Sequence, residues 1–129
     1  MSDMGLTHQR LKVKATHDGR KAIYVDFLID SGAVFSLVPR DRLRSVGAKP
    51  YKRLDFTLAD GSTVSREVGD CYFKYQGHGG AAPVIFGEKG DQPLLGVTTL
   101  ESLGLVLNPF KRELNPMKLV LMSSRRSTS

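Results

Sequence analysis

Turn-forming residues recur about every ten positions along this chain, a spacing that leaves room for short strands and little else. Leu11 to Ala15 (LKVKA) alternates apolar and basic side chains, as a strand with one face buried requires. His17-Asp18-Gly19 follows as a hairpin turn, because Asp-Gly tolerates the positive φ angles of tight hairpins. The return strand is expected over Lys21 to Ile29 and ends strongly apolar. A second apolar run covers Val34 to Val38 and is broken by Pro39.

The same rhythm continues downstream. Asp41 to Val46 is predicted as a short helix, with Gly47 as its C-terminal stop. Arg53 to Leu58 and Thr63 to Val68 flank Ala59-Asp60-Gly61-Ser62, the clearest hairpin in the sequence. Cys71 to Tyr75 and Ala82 to Phe86 form another expected pair across Gly77-His78-Gly79-Gly80. Thr98 and Glu101 have the spacing of a capping box, so a second short helix is predicted from there to Gly104. Leu105 to Leu107 and Lys118 to Met122 read as late strands. Residues 1–122 make one mostly β domain with two short helices, and 123–129 (SSRRSTS) a disordered basic tail.

Composition excludes several classes. At 129 residues the chain holds one domain, and 40% hydrophobic with 25% charged residues is ordinary globular usage. A lone cysteine, Cys71, forms no internal bridge, and no Cys/His set offers zinc ligands, so neither metal nor cofactor is expected. No uncharged run approaches ~18 residues, so no membrane span is expected. The N-terminus lacks the apolar stretch of a signal peptide, which points to a soluble, cytoplasmic protein. The histidines His8, His17 and His78 are placed in loops or turns. The net charge of +6 raises nucleic acid as a partner. Yet the basic segment Arg40, Arg42, Arg44, Lys49, Lys52 and Arg53 has no interleaved aromatics, so a solvated surface is the better reading and no nucleic acid is expected.

Asp30 is the most informative residue. It follows the apolar run Phe27-Leu28-Ile29, where a strand leaves the core, so its carboxyl is expected to be partly desolvated. Ser31 can bond back to the local backbone, and Gly32 lets the chain bend tightly. Asp-Ser-Gly is also an ordinary turn, and an Asp-Gly pair separated by Ser or Thr occurs by chance in roughly one chain in fifteen of this length. The apolar flanks on both sides set this one apart.

In that setting the sequence resembles the retropepsin-like aspartic proteases. "FLIDSGAVFSLVP" (Phe27 to Pro39) is similar to their active-site segment, and "PLLGVTTLESLGLVLNP" (Pro93 to Pro109) to their late apolar-apolar-Gly element opening a helix. Between the two, "FTLADGSTV" (Phe56 to Val64) stands where the family has its flap hairpin. Order and spacing agree over about Leu11 to Leu114, most closely with the small single-lobe bacterial and archaeal members. The resemblance implies a closed β-barrel, the single lobe of an acid protease.

It also implies roles. Asp30 would be the catalytic carboxyl, with Ser31, Gly32 and Ala33 supporting the loop around it. Leu58, Ala59, Asp60, Gly61 and Ser62 would form the flap over an extended peptide. Leu94, Leu95 and Gly96 would brace the active-site loop. Aspartic proteolysis needs two carboxyl groups sharing a proton, and this chain has one Asp-Ser-Gly, so a homodimer is implied. Val97 stands where many retroviral members carry a charge, and the chain runs on past their last strand, so the closure of the dimer is left open. Two other readings compete: a retropepsin-like module that binds peptides or dimerises without catalysis, and a nucleic-acid-binding β domain supported by charge alone.

Overall fold

A computed structural model describes residues 7–118. The expected strand beyond Lys118 and the tail 123–129 lie outside the described residues.

β1 (His8–Lys14) buries Leu11 and Val13 while Arg10 points to solvent, and it pairs antiparallel with β2 (Ala22–Ile29). β3 (Ser36–Pro39) follows the Asp30 turn and leads directly into helix α1 (Arg40–Ser45). The second apolar run is therefore shorter as a strand than its sequence suggests, with Val34 and Phe35 left in the turn. Gly47, at a φ of 88°, ends the helix region in the left-handed conformation that glycine adopts without penalty. β4 (Pro50–Thr57) and β5 (Thr63–Tyr75) form the long hairpin around Ala59 to Ser62.

Two separate strands were expected where β5 runs unbroken for 13 residues. The turn that follows is shorter than expected, Gln76-Gly77, because Gly79 and Gly80 already belong to β6 (His78–Gly87). These glycines serve packing rather than turning. A Cβ on Gly79 would collide with the Tyr72 ring, and one on Gly80 would lie 2.5 Å from the Ser102 carbonyl oxygen. His78 thus starts a strand and His8 starts β1, against their expected loop positions; His17 does lie in a turn.

β7 (Leu94–Leu95) is only two residues long, yet it joins β2 to β3 in the middle of the sheet. Helix α2 (Val97–Leu103) packs on β6 and stops at Gly104, whose φ is 71°. The expected capping box does not form, because Gly96 takes the N-cap position and no side chain caps the helix. The first-turn N–H groups of Val97 and Thr98 instead donate to the carbonyls of Ala33 and Val34. The Asp30 turn caps the helix, so a side-chain cap has nothing to satisfy. β8 (Leu105–Asn108) pairs with β9 (Glu113–Pro116), a strand the sequence did not announce.

Sheet order is β1-β2-β7-β3-β6-β5-β4, and β1 also pairs with β5. The pairing therefore returns to its starting strand, leaving β4 as an outlying edge and enclosing a core of Leu11, Val25, Phe27, Phe73, Val84 and Phe86. Cys71 is buried in it, and burial pushes its thiol pKa up, as an inert small hydrophobe.

Candidate active site

The Asp30 turn is held from below by backbone. The N–H of Asp30 donates to the Leu95 carbonyl at 3.0 Å, and the N–H of Ala33 closes the turn on the Asp30 carbonyl at 3.0 Å. Parallel pairing of Leu28 with Leu94 and Ile29 with Leu95 sets this register. The Asp30 carboxylate, half-buried, accepts the Gly32 N–H on Oδ1 at 2.9 Å. That bond fixes the carboxyl plane and leaves Oδ2 without a protein donor among the described residues. Ser31 and Gly32 are exposed beside it.

Gly96 sits where no other residue fits. A Cβ there would come within 2.6 Å of the Phe35 carbonyl and 2.9 Å of the Ala33 oxygen. Its N–H donates to the Ser36 hydroxyl at 2.9 Å, and that hydroxyl shares a 2.5 Å hydrogen bond with Thr99 Oγ1. Ser36 and Thr99 are both fully buried. The Asp30 turn, β7 and α2 are thereby locked into one unit by a small polar network inside the core. Sequence reasoning quoted Ser36 and Thr99 as parts of two motifs and missed the link between them, since nothing local joins residues 63 positions apart.

A cleft of about 360 Å³ opens alongside the turn. Ala33, Val34, Phe35, Phe56, Leu58 and Leu94 contribute to its mainly apolar lining. Phe35 from the turn and Phe56 from β4 meet edge to face at 6.2 Å. At the hairpin tip the Leu58 N–H donates to the Ser62 carbonyl, and Gly61 has a φ of 87°. Asp60 Oδ1 accepts both the hydroxyl and the N–H of Ser62, which hold its carboxyl below the usual range. Ala59 to Ser62 are exposed.

One ion pair lines the cleft. Arg66 on β5 grips Asp91 with two hydrogen bonds, Nε to Oδ2 at 2.8 Å and Nη2 to Oδ1 at 3.2 Å. The Arg66 hydrogen bond holds the Asp91 carboxyl below the usual carboxylate range, aided by the Glu88 N–H and opposed by burial. On the neighbouring residue of β5, Glu67 pairs with Arg40, which also reaches Glu88 at 2.9 Å. Part of the basic segment is therefore neutralised internally. No signal in the sequence marks these pairs, whose members come from three separate elements.

Among the described residues no cluster of three His, Cys, Asp or Glu side chains could hold a metal, and no helix is long and apolar enough to cross a membrane.

No protein-family model matches the chain, and no curated protein matches it. Solved structures do. The foamy viral protease-reverse transcriptase, determined in complex with an RNA/DNA hybrid, superposes over 91% of this chain with a TM-score of 0.56 and 16% identity. This chain spans only 13% of that one. The simian foamy virus (mac) protease aligns over 72% of this chain and 92% of its own, at 24% identity and a TM-score of 0.48. A retropepsin-like aspartic protease from Rickettsia conorii aligns over 78% and 84%, at 17% identity and a TM-score of 0.47. The fold of this chain is the retropepsin-like one.

Proposed function

We propose that the chain is an aspartic endopeptidase, active as a homodimer, that cleaves extended peptides between two Asp30 carboxyl groups. The observation that carries this reading is the seating of Asp30. A half-buried carboxyl stands at the end of an apolar strand, its plane fixed by the Gly32 N–H and its backbone tied to Leu95, at the edge of an apolar cleft. A turn that served only to reverse the chain needs no such support.

In the assembled pair, the carboxyls lie at the two-fold axis and share one proton, since like charges held close disfavour double ionisation. The ionised member takes a proton from a water molecule as that water attacks the scissile carbonyl carbon. The protonated member gives its proton to the carbonyl oxygen. Collapse of the tetrahedral intermediate breaks the C–N bond, and a carboxyl proton passes to the leaving amine. Ser31, Gly32 and Ala33 keep the two turns in place, and Leu94 to Gly96 support them from beneath. Leu58 to Ser62 close over the peptide, which lies extended and bonds through its backbone.

Digestion of a mixed peptide library at acidic and neutral pH, with Asp30→Asn as the control, tests the reading. Cleavage by the parent and none by the variant is expected. Cleavage that persists in the variant would overturn it.

A further inference from the structure

The β8–β9 hairpin ends in an aromatic side chain that finds no cover among the described residues. Phe110 is 96% exposed, well above Val34, Leu58 and Val106. The turn fixes its backbone. Asn108 Oδ1 accepts the N–H groups of Phe110 and Lys111 at 3.1 and 3.2 Å, and Arg112 takes a φ of 53°. Left-handed backbone at an arginine is uncommon outside tight turns, and here it closes the hairpin.

Beside the hairpin runs a groove of about 350 Å³. Val97 and Leu100 of α2 and Leu105 and Leu107 of β8 supply apolar walls, and Ser31 of the Asp30 turn opens onto it. Glu101 is the single charged residue among those lining it. Pro109 also lines the groove and precedes Phe110, so knob and groove lie on one continuous surface. The two residues after Phe110 are cations, Lys111 and Arg112, both exposed.

We propose that two copies dock isologously through this surface. Phe110 of each protomer enters the groove of the other, and Lys111 and Arg112 face Glu101 of the partner subunit. A second copy is the occupant that this surface fits. A two-fold contact presents each element twice, so one surface must carry both a knob and its groove, and both signs of charge. This one does. A chain with a net charge of +6 associates with itself against its own repulsion, and opposite charges placed at the contact offset that. An aromatic side chain entering an apolar pocket is also the usual anchor of an interface.

Because Ser31 lines the groove and follows Asp30, this docking draws the two Asp30 turns towards one axis. The inference rests on the proposed protease reading for the purpose of that meeting, and not for the contact itself.

Sedimentation equilibrium of the full chain tests it, with circular dichroism to confirm folding. Phe110→Ser is expected to raise the dimer dissociation constant about 100-fold. Glu101→Lys is expected to raise it about tenfold, as is Lys111→Glu with Arg112→Glu. Mixing those two charge variants should restore dimers containing one chain of each, since only the mixed pair faces opposite charges twice. That rescue cannot come from a fold defect. A parent chain that stays monomeric, an unchanged constant for Phe110→Ser, or no recovery on mixing would overturn the contact. Peptide cleavage measured on the same samples separates the two readings. Dimers that behave as expected but cleave nothing leave the contact standing and remove the protease. Asp30-dependent cleavage by a dimer indifferent to Phe110 does the reverse.

Discussion

Ser36 is a fully buried hydroxyl with two partners, both at the start of helix α2: its N-cap, Gly96, and its third residue, Thr99. It accepts the Gly96 N–H and shares a hydrogen bond with Thr99. Ser36→Ala leaves a buried N–H unpaired, which costs about 1–3 kcal/mol. We expect that loss in urea unfolding, with Thr99→Val costing less because Gly96 keeps its acceptor. The double variant should fall short of the sum of the single ones, as members of one network do. Gly96→Ala strikes the same place sterically. Its Cβ meets backbone atoms of Phe35 and Ala33 that cannot swing away. We expect a stability loss of about 1–3 kcal/mol together with lower peptide turnover, since the displaced backbone carries Asp30. The motif PLLG was readable in the sequence. The hydroxyl pair was not, because hydrogen bonds between distant residues leave no periodicity.

At the level of elements, the long hairpin is fastened at its root rather than its tip. Arg66 and Glu67, adjacent on β5, reach Asp91 and Arg40 respectively, so the hairpin is tied to the loop after β6 and to the start of α1. The folded state holds the Asp91 carboxyl below its unfolded value of about 3.9. Its contribution to stability is therefore complete above that value and is lost only as pH falls through the lower folded one. We expect Asp91→Asn to lower the melting temperature at pH 7 and at pH 5 alike, with the difference shrinking towards pH 2. A difference that vanished by pH 5 would contradict the sign. Strands with alternating faces were legible here, and so was the Asp60-Gly61 turn, where Gly61 takes a positive φ. Gly19 takes none, because residues 15–21 form a longer connection in place of the expected tight turn. The second helix was legible as well, but not its start. Thr98 and Glu101 have capping spacing, yet the carbonyls of Ala33 and Val34 already satisfy the first turn. β9 was missed because its four residues include a single buried apolar one, Leu114, and its partner decides its conformation.

For the whole molecule, the proposed single catalytic carboxyl per chain makes activity a property of pairs. Mixing parent and Asp30→Asn chains in equal amounts, with time for exchange, leaves about a quarter of the dimers with two parent chains. Activity per parent chain should therefore fall by about half. An undiminished value would show that a single chain is sufficient. The retropepsin-like architecture was readable from three ordered segments. The return of the pairing from β5 to β1 was not, since closure depends on twist and register rather than on any residue type.

β5 has two occupations. Its first residues, from Thr63, form one side of the outlying hairpin, and its last ones, Tyr72 to Lys74, pair with both β6 and β1. A single rod is thus free at one end and clamped at the other. Amide hydrogen exchange should register this as a gradient within one strand, quick near Thr63 and slow beyond Cys71. Cys71 sits at the clamped end with its thiol buried. Its alkylation by a small reagent then becomes a clock for the opening of the closed sheet, one that keeps time whether or not the hairpin moves.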